Sequence, residues 1–164
     1  MKEHYTFAEF QEIMRRLRLE DGCPWDKAQT HSSLKPALIR ELTEVIAGIN
    51  LYEETKNAEN LCEELGDLFM LVLLQSQIGS DTGSFTIHDV IDSASKKMIR
   101  RHPHVFGEGY RDENGELVRA WDEIKRYEKA GYSEKKLQQQ KAAERAAGRE
   151  VEAFLNAENG AEIP

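Results

Sequence analysis

Apolar positions recur every three to four residues through most of the chain, the period of an amphipathic helix. Phe7, Phe10, Ile13, Met14 and Leu17 carry that period over a first helix, residues 7–18. Thr6 followed by Glu9 has the form of a capping box at its start. The run Asp21-Gly22-Cys23-Pro24-Trp25-Asp26 breaks the pattern and predicts a loop reaching Ser33. Pro36 fits the first turn of a second helix, where its missing N–H costs nothing. That helix runs to Glu53, with Leu38, Leu42, Val45, Ile46 and Ile49 inward. Thr55-Lys56-Asn57 forms a turn. A third helix covers residues 58–78, carries Leu61, Leu65, Leu68, Phe69, Val72 and Leu73 on its apolar arc, and stops at Gly79.

Thr86 caps a fourth helix, with Asp89 in its first turn, and Pro103 ends it. Residues 104–115 read as a loop rich in Gly and charge, and residues 116–129 as a fifth helix ended by Gly131. From Ser133 the composition shifts to Lys, Gln, Ala, Glu and Arg. This predicts a solvated helix to Leu155 and a frayed end over residues 156–164. No run of alternating β-branched residues bounded by turn signals occurs, and no segment repeats. The pattern predicts an all-α antiparallel helix bundle, with one domain over residues 1–131 and a charged helical extension over 132–164.

Composition narrows the class. The 164 residues carry 22 Lys+Arg against 30 Asp+Glu, a net charge of −8. That balance argues against a phosphate backbone, and so against nucleic acid, as the main partner. With 40% hydrophobic and 32% charged residues, the chain reads as globular rather than disordered. Its longest unbroken apolar run, Leu68 to Leu74, is too short to span a bilayer. No apolar stretch with a small-residue cleavage site follows Met1, and Cys23 and Cys62 lack metal-type spacing. The expectation is a cytoplasmic protein with two free thiols and no membrane partner.

Two acidic motifs carry the candidate chemistry. The second helix holds Glu41-Leu42-Thr43-Glu44 and the third Glu64-Leu65-Gly66-Asp67. Residues three apart share a helix face, so each motif presents two carboxylates side by side. At 100° per residue, Glu64 and Asp67 share a sector with Leu71 and Leu74, and Glu41 and Glu44 lie among Ala37, Val45, Gly48 and Leu51. Carboxylates at the edge of an apolar stripe need a positive partner. Glu44 and Glu64 stand at nearly equal separations from the turn at Thr55, and so do Glu41 and Asp67. An antiparallel hairpin therefore predicts that the four acids converge. Oxygen-only ligands suit a hard cation, Mg²⁺ or Mn²⁺, and the absence of a Glu-x-x-His spacing argues against a di-iron centre.

Positive charge is densest in Lys96-Lys97-Met98-Ile99-Arg100-Arg101, where Lys97 and Arg101 share a face. Cations there complement a helix C-terminus or hold phosphate oxygens. Trp121 and Lys125 are also four apart. They read either as core aromatic and snorkelling cation or as a base platform with a phosphate contact, and Trp25 has the same two readings. His31, His102 and His104 read as loop or cap residues.

Together, Gly22-Cys23-Pro24-Trp25-Asp26, Gln29-Thr30-His31, Glu41-x-x-Glu44, Glu64-Leu65-Gly66-Asp67, Arg100-Arg101-His102-Pro103-His104-Val105-Phe106-Gly107 and Trp121-x-x-x-Lys125 resemble the MazG nucleoside triphosphate pyrophosphohydrolases over residues 7–129. The resemblance implies an all-α, usually dimeric bundle that hydrolyses nucleoside triphosphates to the monophosphate and pyrophosphate. It implies Glu41, Glu44, Glu64 and Asp67 as Mg²⁺ ligands. Independently of the resemblance, a carboxylate not fully committed to metal can accept a water's proton, which makes Glu41 or Glu44 the candidate general base. Lys97, Arg101, Trp121 and Lys125 match substrate-contacting positions, and Trp25 is added to them as a candidate nucleotide contact. The sequence departs from the family's Glu-Glu-x-x-Glu form in having Arg40 before Glu41. Arg40 points about 100° away from Glu41 on the helix, so the metal site keeps its acids while substrate preference and rate stay open. Narrower hydrolysis of dUTP, dCTP or an alarmone, and a nucleotide-binding module without turnover, are the alternative readings. The wide apolar arc of the third helix predicts a homodimer or pair of dimers built through the second and third helices.

Overall fold

A computed structural model describes residues 1–160. Eight helices occur among them: α1 (Phe7–Leu17), α2 (Pro24–Ala28), α3 (Lys35–Thr55), α4 (Glu59–Asp81), α5 (Ile87–Arg101), α6 (Pro103–Phe106), α7 (Trp121–Lys129) and α8 (Glu134–Gly160). The described residues contain no named strand; a single antiparallel bridge joins Arg111 and Leu117. The fold is all-α. The chain divides into two compact units, Met1–Ile87 and His88–Pro164.

In the first unit, α1 starts as its sequence dictates. The Thr6 hydroxyl accepts from Glu9 N, and the Glu9 carboxylate accepts from Thr6 N at 2.9 Å, so two orphan donors are satisfied at once. The turn between α3 and α4 is equally local. Lys56 adopts the left-handed conformation, φ 59°, and Asn57 Oδ1 accepts from Glu59 N at 2.9 Å. A connection this short makes α3 and α4 antiparallel neighbours, and they pack along each other while α1 packs on α4. The core is drawn from Met14, Leu34, Val45, Leu71, Leu73, Leu74 and Ile78.

Arg18 ties this unit together and carries no signal in the helical pattern. Its side chain is only 9% exposed and pairs with Asp81 at the end of α4 at 2.6 Å. It also donates to the backbone carbonyls of Asp26 and Gln29. Gln29 in turn donates to Trp25 O at 3.1 Å, which fixes the backbone of α2. His31 pairs through Nδ1 with Gln75 and stacks on Phe85.

The second unit is built around the end of α5, α6 and α7. Ile124 and Val118 are its buried apolar residues, Tyr110 stacks on Tyr127 with ring centres 5.3 Å apart, and the positive φ of Gly107 closes α6. His102 precedes α6 and its Nδ1 bonds Met98 O at 2.8 Å, the cap role its position predicts.

Several expectations are corrected. Leu42, Ile46 and Ile49 of α3 and Leu65 and Phe69 of α4 are exposed, not inward. An antiparallel neighbour covers only part of each helix's circumference, and in α3 the covered part is centred on Val45 and Gly48. Helix α4 does not stop at Gly79 but runs to Asp81; a β-carbon at Gly79 would stand 2.8 Å from the Phe85 ring, so this glycine makes room for a side chain. The expected loop to Ser33 contains α2, because Pro24 occupies the first turn of a short helix. Pro103 likewise opens α6 inside the expected loop 104–115. The fifth predicted helix starts at Trp121 rather than Glu116, since Glu116 and Leu117 are taken up by backbone bonds to residues 110–112 and by the bridge. Helix α8 continues past Leu155 to Gly160; the rest of the expected frayed end, 161–164, lies outside the described residues.

Candidate active site

The acidic motifs lie where α3 and α4 pack. One carboxylate oxygen each from Glu41, Glu64 and Asp67 falls within 4.8 Å of the others, and all three residues are half-buried. The i,i+3 spacing puts Glu64 and Asp67 on one face of α4, and the antiparallel hairpin brings Glu41 of α3 to the same level. Glu44 is exposed and lies outside this group, so three of the four acids expected to converge do so.

The electrostatics of this cluster are unfavourable by themselves. Burial, then the Glu44 charge and the hydrogen bond with it, then the charges of Asp67 and Glu64 hold the Glu41 carboxyl above its ordinary value. Glu41 Oε2 is buried without a hydrogen-bond partner. A lone buried carboxylate oxygen among like charges is costly. A hard cation between these oxygens would satisfy the orphaned atom and offset the repulsion together, so the donor set fits Mg²⁺ or Mn²⁺. Glu64 is further oriented by Asn60, whose Nδ2 donates to Glu64 Oε1 at 2.8 Å. The i,i+4 spacing of Asn60 and Glu64 was the available sequence signal for that contact.

In the second unit, Arg101, Trp121 and Lys125 come together. The Arg101 guanidinium lies 4.8 Å from the Trp121 ring centre and Lys125 Nζ 5.4 Å from it, both within cation–π range. His102 meets the same ring at 6.0 Å. Trp121 is 42% exposed, so one part of its ring surface stays open. Arg101 is also held by Glu128: Nη2 donates to Oε2 at 2.7 Å and Nε bonds both oxygens. Arg100 approaches the same carboxylate at 3.5 Å. The Arg101 hydrogen bond is the first cause that holds the Glu128 carboxyl below its ordinary value. Glu128 was missed by motif reading, since a single acid in a charged helix stands out only once its partner is placed. Lys97 is exposed one turn before Arg101. Trp25, 64% exposed in α2, belongs to the first unit.

Residues 29–106 match the MazG nucleotide pyrophosphohydrolase domain. The chain is 46% identical over 123 residues to the nucleoside triphosphate pyrophosphohydrolase/pyrophosphatase MazG of Thermotoga maritima, covering 75% of this chain and 45% of that protein. It is 38% identical over 119 residues to the nucleoside triphosphate pyrophosphohydrolase of Escherichia coli K12, covering 72% of this chain and 44% of that one. It is 44% identical over 126 residues to the uncharacterised protein YabN of Bacillus subtilis, covering 77% of this chain and 25% of YabN. The chain thus spans between a quarter and just under half the length of these relatives.

Proposed function

The chain belongs to the MazG family, and from that membership and its carboxylate cluster we propose that it hydrolyses nucleoside triphosphates to the monophosphate and pyrophosphate. The observation that carries the reading is the buried, partnerless Glu41 Oε2 within reach of Glu64 and Asp67. Such an arrangement is unfavourable unless a cation completes it. Glu41, Glu64 and Asp67 are the proposed ligands of Mg²⁺ or Mn²⁺, with Glu44 beside them.

A divalent cation supplies neutralisation of the triphosphate's negative charge, which otherwise repels a nucleophile. The chain's own carboxylates do the rest. Glu44, exposed and outside the tight cluster beside Glu41, accepts the proton of the attacking water. Attack at the α-phosphorus releases pyrophosphate. Lys97, Arg101, Trp121 and Lys125 of the second unit and Trp25 of the first are proposed nucleotide contacts. Arg101 keeps Nη1 for a phosphate oxygen while Glu128 takes Nε and Nη2, and Trp121 offers a face for a base.

The exposed apolar rows on α3 and α4 support a homodimer or pair of dimers built on these helices. No helix among the described residues is long and apolar enough to cross a membrane. The proposed role is nucleotide-pool control in the cytoplasm. The test is pyrophosphate release, read with coupled pyrophosphatase, over a panel of ribo- and deoxynucleoside triphosphates with Mg²⁺. Release that disappears in EDTA supports the assignment. Nucleotide binding without release would leave a binding module, the reading that Arg40 in place of an acid keeps open.

A further inference from the structure

The cluster depends on a residue that is neither acidic nor part of either acidic motif. Gly48 is buried on α3, one turn beyond Glu44. A β-carbon there would stand 3.1 Å from Leu61 Cα and 3.2 Å from Asn60 Oδ1. Those separations are tighter than ordinary van der Waals contact, so the missing side chain is a slot into which the first turn of α4 fits. Asn60 fills that slot. It is half-buried, faces Gly48 with Oδ1, and donates from Nδ2 to Glu64 Oε1 at 2.8 Å.

The amide end that meets Glu64 is set by chemistry, because a carboxylate accepts and only Nδ2 can donate. A charge-assisted bond of this kind holds a side chain more firmly than a neutral one. Glu64 needs such a restraint. Its neighbours Glu41 and Asp67 carry the same charge within 4.8 Å, and mutual repulsion favours rotamers that swing Glu64 out toward solvent. The Asn60 bond uses one lone pair of Oε1 and leaves Oε2 and the other lone pair of Oε1 to face the cluster.

We propose that Asn60 is a positioning residue of the cation site: it holds Glu64 toward Glu41 and Asp67, and Gly48 keeps the Asn60 amide in place by leaving no side chain against it. The proposal rests on the metal-site reading above. Partners that orient a ligand commonly change metal affinity by about 10–100-fold when removed.

The experiment measures Mn²⁺ affinity by calorimetry and by the Mn²⁺-induced rise in melting temperature above each variant's own value in EDTA. The variants are Asn60→Ala, Asn60→Leu, Gly48→Ala and the Gly48→Ala/Asn60→Ala double variant. Asn60→Leu keeps the bulk of the side chain and removes only the donor, so it separates the hydrogen bond from packing. The expected result is Mn²⁺ binding weakened about 10–100-fold in both Asn60 variants. Gly48→Ala should weaken it as well, with no further loss when added to Asn60→Ala. Wild-type Mn²⁺ affinity in Asn60→Leu overturns the proposal, whatever happens to its melting temperature in EDTA, and leaves the metal site standing. Failure of the wild-type protein itself to bind Mn²⁺ overturns the metal reading and the role of Asn60 with it.

Discussion

Arg101 and Glu128 form a two-pronged ion pair, with Nη2 2.7 Å from Oε2 and Nε bonding both carboxylate oxygens. Their side chains are only 18% and 14% exposed, and the guanidinium rests on Trp121. The pair joins the last turn of α5 to the end of α7, so the cation proposed to meet phosphate is oriented before any substrate arrives. Orientation of this kind lowers the entropy cost of binding.

The pair gives the fold an acid-side pH dependence. The Glu128 carboxyl is depressed, first by its hydrogen bond with Arg101. A depressed carboxyl contributes stability that is present above the ordinary glutamate value and is lost as pH falls through the folded one. The wild-type melting temperature should therefore fall below about pH 4.5. Glu128→Gln should lower the neutral-pH stability by about 1–3 kcal/mol and flatten that acid limb. Thermal melts from pH 3 to 7 check it; an acid limb equally steep in Glu128→Gln would remove the pair as its source.

Removing charge from the cluster should have opposite effects on fold and function. Glu41→Gln relieves like-charge repulsion at a buried oxygen, so its melting temperature in EDTA should exceed that of the wild type. The same substitution removes a proposed ligand next to the proposed base, and kcat should drop by ~10²-fold or more. Melts in EDTA and pyrophosphate-release assays with Mg²⁺ measure the two arms. A variant that is both less stable in EDTA and fully active would contradict the arrangement.

Mg²⁺ should stabilise the wild-type fold. A ligand that binds only the folded state adds about 2.7 kcal/mol at a hundred times its Kd. Glu64→Gln and Asp67→Asn should abolish most of that gain and most of the hydrolysis. Full turnover in both variants would move the site away from the α3–α4 hairpin.

Gly79 should tolerate no side chain. A β-carbon would stand 2.8 Å from the Phe85 ring, and Phe85 stacks on His31. Gly79→Ala should cost about 1–3 kcal/mol, the usual range for overpacking, measured by denaturant unfolding. A neutral effect would mean that Phe85 turns away without loss.

The exposed rows on α3 and α4 should be covered by a second copy. Ile46 is 53% exposed on α3, and Ile46→Glu should shift the protein toward 18.8 kDa monomers in light scattering. A monomeric wild type at micromolar concentration would show that these rows stay open in solution.

What the residues alone decided is local. The capping box of Thr6 and Glu9, the apolar period of α1, α3 and α4, and the placement of Glu41, Glu64 and Asp67 at one level of a hairpin all follow from interactions within a turn or from helix geometry across a short connection. Which apolar residues are buried was decided only by packing, because Leu42, Ile46 and Ile49 match the helical period as well as Val45 does, and α4 packs on the part of α3 centred on Val45 and Gly48. Long-range pairing was decided the same way. Arg18 meets Asp81 across 63 residues and Arg101 meets Glu128 across 27, and nothing in a charge's sequence neighbourhood selects a distant partner. Gly79 shows the same limit from the other side. A glycine near a helix end reads as a stop by its backbone freedom, whereas here its absent side chain admits Phe85, a contact that exists only once the chain has folded back on itself.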